Sequence, residues 1–327
     1  MTSSAGAGSA RRDPFSIAGT AVPAGTRKKF EIPIANLMSG TPVSLPILVL
    51  HGREPGPTLW MTAAIHGDEL CGVEIIRRVL DAVRPETMSG TIVAVPIVNV
   101  HGFNTGSRYL PDRRDLNRSF PGSLRGSLAS RIAKLLMTEV IELCDVGIDF
   151  HTGSDQRENL PQIRADLDDP KTAALARVFA PPVAIHSRVR DGSLRQAATD
   201  VGSTVLLFEG GEALRFSESA IRAGATGALR VLNHLGMFKG TFPPTSPVLI
   251  SRSSSWIRAT RSGILHLDSD LGDHVAAGDT IATIHDPFGQ RLGVVTTRRP
   301  GLVIGSTHSP LVNRGDAIVH IADIASD

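Results

Sequence analysis

Between residues 45 and about 240, short apolar runs alternate with segments of helical period, which restricts this stretch to a largely parallel sheet covered on both faces. Pro46 to His51, Thr58 to Ile65, Thr91 to Val100, Asp145 to Phe150, Val183 to His186 and Thr204 to Phe208 have the length and character of buried strands. Lys28 to Leu37 adds a weakly alternating strand ahead of them. Asp68 to Val83 sets Leu70, Val73, Ile76, Val79, Leu80 and Val83 at helical spacing and stops before Pro85. Leu124 to Leu143, Lys171 to Phe179, Leu194 to Val201 and Glu218 to Gly236 read as further helices. Glu54-Pro55-Gly56-Pro57 reads as a turn, because two prolines bracket a glycine.

From about Thr241 the texture changes. Pro243-Pro244 and Pro247 mark a linker, and only short strands separated by Gly-Asp or Pro-Gly turns follow, among them Gly263 to Leu267, Thr280 to Ile284 and Ala317 to Ile321. The expected organisation is a disordered leader over residues 1–27, an α/β domain over 28–242 and a small all-β domain over 243–327.

Composition removes several function classes. A net charge of +2 and 4% aromatic residues argue against nucleic acid as a partner. No apolar run approaches the roughly 18 residues that would cross a bilayer, and Met1 to Arg12 lacks the apolar core of a signal peptide. Cys71 and Cys144 sit in apolar-periodic segments and are expected as buried free thiols. The expectation is a cytoplasmic protein acting on a small molecule.

The chemistry starts at His66-Gly67-Asp68-Glu69, placed between an apolar strand and a helix. At a separation of three residues an imidazole and a carboxylate can turn toward one point, and catalytic zinc commonly takes two His and one Glu. His51-Gly52-Arg53-Glu54 repeats the spacing, but Glu54 runs into Pro-Gly-Pro and has no helix to hold it. A third ligand is available in His151, just past a short apolar strand, and strand ends gather on one edge of an α/β sheet. A core histidine satisfied by backbone is the bland alternative for His151.

A zinc hydrolase also needs a base and a group for the oxyanion. Glu209 follows the apolar run Val205-Leu206-Leu207-Phe208 and precedes two glycines, a costly place for a carboxylate without a role or partner. The segment Arg108 to Arg118 carries four arginines and the chain's one tyrosine, which suits an anion-binding loop.

These pieces, His66-Gly67-Asp68-Glu69, Arg108-Tyr109, Asp115-Leu116-Asn117-Arg118, His151-Thr152 and Glu209, resemble the succinylglutamate desuccinylase/aspartoacylase family within the zinc carboxypeptidase superfamily. The resemblance covers residues 45 to about 240. It implies an α/β zinc-carboxypeptidase-like mixed sheet flanked by helices, with one Zn2+ per chain on His66, Glu69 and His151. It further implies Glu209 as general base, Arg108 as the residue polarising the scissile carbonyl, Asn117 with Arg118 as binders of the substrate carboxylate, and Asp115 as support. The stretch between Arg108 and Asp115 is about two residues longer than in aspartoacylase-like members, which makes Arg114 a rival for Arg108; Arg164 is a further candidate for substrate contact. The C-terminal part resembles a biotinyl/lipoyl-like barrel, yet no lysine follows Lys239, so covalent biotin or lipoate is excluded. That part would shape the pocket entrance or form a contact in a homo-oligomer.

The implied activity is zinc-dependent deacylation of a small N-acyl amino acid. A zinc carboxypeptidase acting on short peptides and a non-catalytic binding protein on the same fold are the competing readings.

Overall fold

The computed structural model describes residues 12–154, 156–188 and 190–324. The expected alternation is present, with its members adjusted at their ends. Strands β1 (Phe15–Ile17), β2 (Thr20–Val22), β3 (Thr26–Asn36), β4 (Pro42–His51) and β5 (Glu54–Ala63) precede helix α1 (Cys71–Ala82). Strand β6 (Ser89–Val95) and helices α2 (Val100–Thr105) and α3 (Leu128–Glu139) follow. Then come β7 (Val146–Gly153), β8 (Arg157–Ala165), α4 (Pro170–Phe179), β9 (Val183–His186), α5 (Leu194–Asp200), β10 (Thr204–Glu212) and α6 (Glu218–His234).

The sheet is mixed. Its central strands β10, β7, β5 and β6 run parallel; β3 and β4 pair antiparallel with their neighbours, and β8 is antiparallel to β10 but parallel to β9. One face packs Ile75, Ile76 and Val79 of α1, Phe179 of α4 and Ile221, Val231 and Leu232 of α6 against Phe150 and Phe208. The other face packs Ile132, Ala133 and Leu136 of α3 and Ala197 and Ala198 of α5 around Trp60. Two apolar layers on one sheet explain why its strands read as continuous hydrophobic runs rather than alternating ones.

Four local expectations need correction. Residues 1–11 lie outside the described residues, but 12–27 are ordered rather than part of a leader. Arg12 Nη1 donates to the carbonyls of Gly52, Glu54 and Gly90, and Ile17 and Val22 of the β1–β2 hairpin enter the core. Pro55-Gly56-Pro57 is not a turn; it lies in β5, at a register shift against β6 between Glu54 and Thr58, where prolines cost no ladder bond. The run Thr91 to Val100 splits at Pro96, and Asn99 caps α2 through the Gly102 N–H. A strand the periodicity did not reveal, β8, contains Pro161 and sits between β9 and β10.

Every element after residue 243 is a strand: β11 (Leu249–Arg258), β12 (Gly263–Leu267), β13 (His274–Val275), β14 (Thr280–His285), β15 (Arg291–Thr296), β16 (Gly301–Thr307), β17 (Leu311–Val312) and β18 (Ala317–Ile324). These strands enclose an apolar cluster that includes Ile281, Ile284, Val295, Val303 and Ile318. They are not set apart at a seam, however. β11 pairs parallel with β9 and β16 pairs antiparallel with β8, so β11, β18, β16 and β13 extend the central sheet to twelve strands. The proline-rich linker therefore ends in a strand that rejoins the sheet already built.

Candidate active site

His66-Gly67-Asp68-Glu69 lies in the turn between β5 and α1, a little outside both elements, and closes on itself through the Glu69 N–H to His66 carbonyl bond at 3.1 Å. Gly67 is required there by crowding: a Cβ would stand 2.0 Å from the Gly102 carbonyl carbon at the start of α2. α2 thus buttresses the turn from behind. His151 sits near the end of β7, and its strand partner on β10 is Glu209. Parallel pairing of β5, β7 and β10 brings their C-terminal ends to one edge, and this assembles residues 66, 151 and 209.

The three expected metal ligands converge. One ligand atom from each of His66, Glu69 and His151 lies within 4.8 Å of the others, and all three residues are buried. Each imidazole is oriented by a carboxylate behind it. His66 Nε2 meets Asp115 Oδ1 at 3.2 Å and His151 Nε2 meets Asp149 Oδ2 at 2.9 Å. Asp149 is itself held by the Thr62 hydroxyl at 2.7 Å. Both Nδ1 atoms therefore face inward, at 2.8 and 2.7 Å from the two oxygens of Glu69. Metal-binding histidines are normally backed by a carboxylate or carbonyl in this way.

The electrostatics agree with the geometry. Burial works against charging His66 and His151, yet the carboxylates of Glu69, Asp115 and Asp149 outweigh it and raise both above the usual histidine value. Burial likewise opposes ionisation of Glu69, but the two imidazoles hold its carboxyl well below the ordinary range. A buried cluster that draws protons onto its histidines and off its glutamate favours positive charge at its centre, and a His2Glu donor set fits a zinc ion.

The remaining sequence candidates divide. Arg108 places Nη1 3.3 Å from Glu69 and Nη2 2.9 Å from Asp115. The Asn117 side-chain oxygen accepts from the Leu194 N–H at 2.9 Å, which leaves its NH2 group as a donor at the cavity wall. Arg118 shares that wall, and its Nη1 donates to the Asn117 carbonyl at 2.5 Å. Arg164 lines the same cavity with Nε 3.8 Å from Glu209 Oε1. Arg114 does not join them. Leu110 to Arg114 form a turn closed by the Leu110 N–H to Arg114 carbonyl bond, and Arg114 lies in solvent beside Asp112. His51, the histidine of the second motif, has Nδ1 on the Thr91 hydroxyl and Nε2 on the Asp13 carbonyl, and is a packing residue.

The cavity holds about 460 Å3 and is lined by seven arginines (Arg108, Arg118, Arg157, Arg164, Arg188, Arg190 and Arg195) against two glutamates, Glu69 and Glu209. Sequence reading missed Asn159 and Arg157 because β8 was not recognised. It missed Arg188, Arg190 and Arg195 because nothing local marks them as convergent. Trp256 of β11 also lines the cavity, stacked on His320 at 4.6 Å between ring centres. The C-terminal strands therefore supply part of the pocket wall.

Comparison with known proteins finds relatives named as deacylases. The model of the succinylglutamate desuccinylase/aspartoacylase catalytic domain matches residues 55–235. The N-alpha-acetyl-L-2,4-diaminobutyric acid deacetylase of Halomonas elongata is 28% identical over 309 residues, covering 90% of each chain. A succinylglutamate desuccinylase/aspartoacylase structure from Rhodobacter sphaeroides superposes with a TM-score of 0.80 at 28% identity, over 91% of this chain and 96% of that one. The product-bound ectoine utilization protein EutE (DoeB) of Ruegeria pomeroyi gives 0.82 at 25% identity, over 96% and 100%. With more than half of its length matched by one family model, and with the shared motifs gathered at one sheet edge, the chain belongs to the succinylglutamate desuccinylase/aspartoacylase family.

Proposed function

We propose that the chain is a zinc-dependent deacylase that hydrolyses the amide bond of a small N-acyl amino acid. The observation that carries this reading is the convergence of His66, Glu69 and His151 on one buried point, with Glu209 on the adjoining strand. When bound there, zinc would supply Lewis acidity, making water a better nucleophile and drawing charge from a carbonyl oxygen. The protein's own groups do the rest. Glu209 takes a proton from the attacking water, the water oxygen bonds to the acyl carbon, the C–N bond breaks, and Glu209 returns the proton to the amine nitrogen. Arg108, tethered by Asp115, stands ready for the negative charge that develops on the carbonyl oxygen. The Asn117 amide and Arg118 guanidinium hold the substrate carboxylate and set the acyl group toward the metal ligands.

The volume of the cavity and its arginine lining suit a small anionic amide. N-acetyl-2,4-diaminobutyrate, named for the Halomonas relative, is the first substrate to assay, beside N-acetyl and N-succinyl derivatives of other amino acids. Short dipeptides test the carboxypeptidase alternative. Turnover of the acyl amino acids that requires zinc and exceeds turnover of dipeptides is the expected result. No zinc-dependent turnover of any of them would remove the reading.

Arg118→Ala should raise KM about tenfold to hundredfold with a smaller change in kcat, since a charge-assisted bond to the bound carboxylate is lost. The same loss should appear in wild type when the substrate carboxylate is converted to an amide. If neither change moved KM, the carboxylate would have to bind elsewhere.

A further inference from the structure

We propose that Asn159 is a positioning residue for Glu209, and that strand β16 of the C-terminal part holds Asn159 in place through Gly305. This rests on the reading of Glu209 as the general base. Asn159 is buried, and its Nδ2 donates to Glu209 Oε2 at 2.7 Å. Among the described residues, the other oxygen, Oε1, has only Arg164 Nε at 3.8 Å, beyond hydrogen-bond reach. The two oxygens are therefore unequal: Oε2 is anchored, and Oε1 is left to exchange a proton with water or the departing amine. A glutamate turns about several single bonds, and one short bond from a buried amide removes most of that freedom.

The strand register shows what holds the amide. Asn159 pairs with Gly211 on β10 and with Gly305 on β16, so both cross-strand neighbours lack a side chain. A Cβ on Gly305 would come within 3.0 Å of Asn159 Oδ1 and 3.3 Å of the Glu158 carbonyl, tighter than packed groups accept without shifting. The third strand of the arrangement comes from the C-terminal part, more than 140 residues away in sequence from Asn159. The arrangement gives that part of the chain a task at the reacting centre besides walling the pocket: it fixes the orientation of the base.

The test uses the zinc-loaded full chain and an N-acyl amino acid that wild type turns over. Asn159→Ala and the isosteric Asn159→Asp, whose carboxylate cannot donate, should each lower kcat about tenfold to hundredfold, the scale of a lost hydrogen bond to a charged group. Gly305→Ala should do the same by displacing the amide. KM should be unchanged, as should zinc content and the affinity for product read from the fluorescence of Trp256, which lines the cavity. In a Glu209→Gln background, Asn159→Ala should have no further effect, because the base it orients is gone. The proposal is overturned if either Asn159 variant keeps wild-type kcat, if KM and product affinity weaken with kcat, or if the loss is equally large in the Glu209→Gln background. Wild type without turnover would overturn the functional reading and this proposal together, whereas a fully active Asn159→Ala beside an inactive Glu209→Gln would overturn this proposal alone.

Discussion

Glu209→Gln should retain stoichiometric zinc and the native fold while losing about 10^2- to 10^4-fold in kcat, the usual contribution of a positioned acid–base group. The substitution is close to isosteric, and the glutamine oxygen can still accept from Asn159 Nδ2. Glu209 is half-buried at the end of an apolar run, so exchanging its charge for an amide disturbs little packing. What disappears is the ability to take a proton. Steady-state kinetics with metal analysis and a thermal melt on the same preparation separate these effects. Near-normal turnover with zinc in place would take the role of base away from Glu209.

His151→Ala should have the larger effect, abolishing both stoichiometric zinc and turnover. It removes one of the three proposed ligands and also unbalances a buried charge cluster. Glu69 Oε2 and Asp149 Oδ2 both point at the lost ring, and both residues are almost completely buried. Removing one partner of such a pair typically costs about 3–5 kcal/mol, so the thermal midpoint should fall measurably as well. Asp149→Ala, which leaves all three ligands present, should weaken zinc binding by about 10- to 100-fold through loss of ring orientation. The sign of the pH dependence follows from the raised values of His66 and His151. In the metal-free protein their protonated forms add stability that is complete below the unfolded histidine value, about 6.5, and is lost as pH rises through the higher folded value. Zinc requires the neutral rings, so the increase in thermal midpoint on adding zinc should grow with pH across that window. Calorimetry with and without zinc at several pH values checks it, and a zinc effect that shrank with rising pH would contradict the ligand assignment.

Much of the fold could be read from periodicity because its strands are buried on both faces and its helices amphipathic. β7, β9 and β10 appear as compact apolar runs, and α1 and α6 as regular stripes. β8 escaped because Pro161 interrupts it and two of its four buried residues, Asn159 and Gln162, are polar, which breaks the apolar run. Pro161 is tolerated because the pairing of β8 with β10 shifts register between Glu209 and Gly211, next to where it lies. The missing strand cost the site reading Asn159 and Arg157 and left Arg164 without a place. Arg114 was misjudged for a different reason. Loop length is visible in sequence, but whether extra residues bulge outward or reach inward depends on the turn they adopt.

The sequence by itself determined the elements of the central α/β sheet apart from β8, the spacing that lets His66 and Glu69 meet, and the difference between that motif and its copy at His51. These are local matters, decided by periodicity, glycines and prolines within a few residues. Only the tertiary structure decided that the proposed metal ligands His66 and His151 are backed by Asp115 and Asp149, that the pocket is walled by seven arginines, and that β11 and β16 rejoin the sheet the linker seemed to leave. Each of these depends on contacts between residues far apart in sequence. They arise because parallel strands deliver distant residues to one edge, and because two strands after the linker found unpaired edges on β9 and β8.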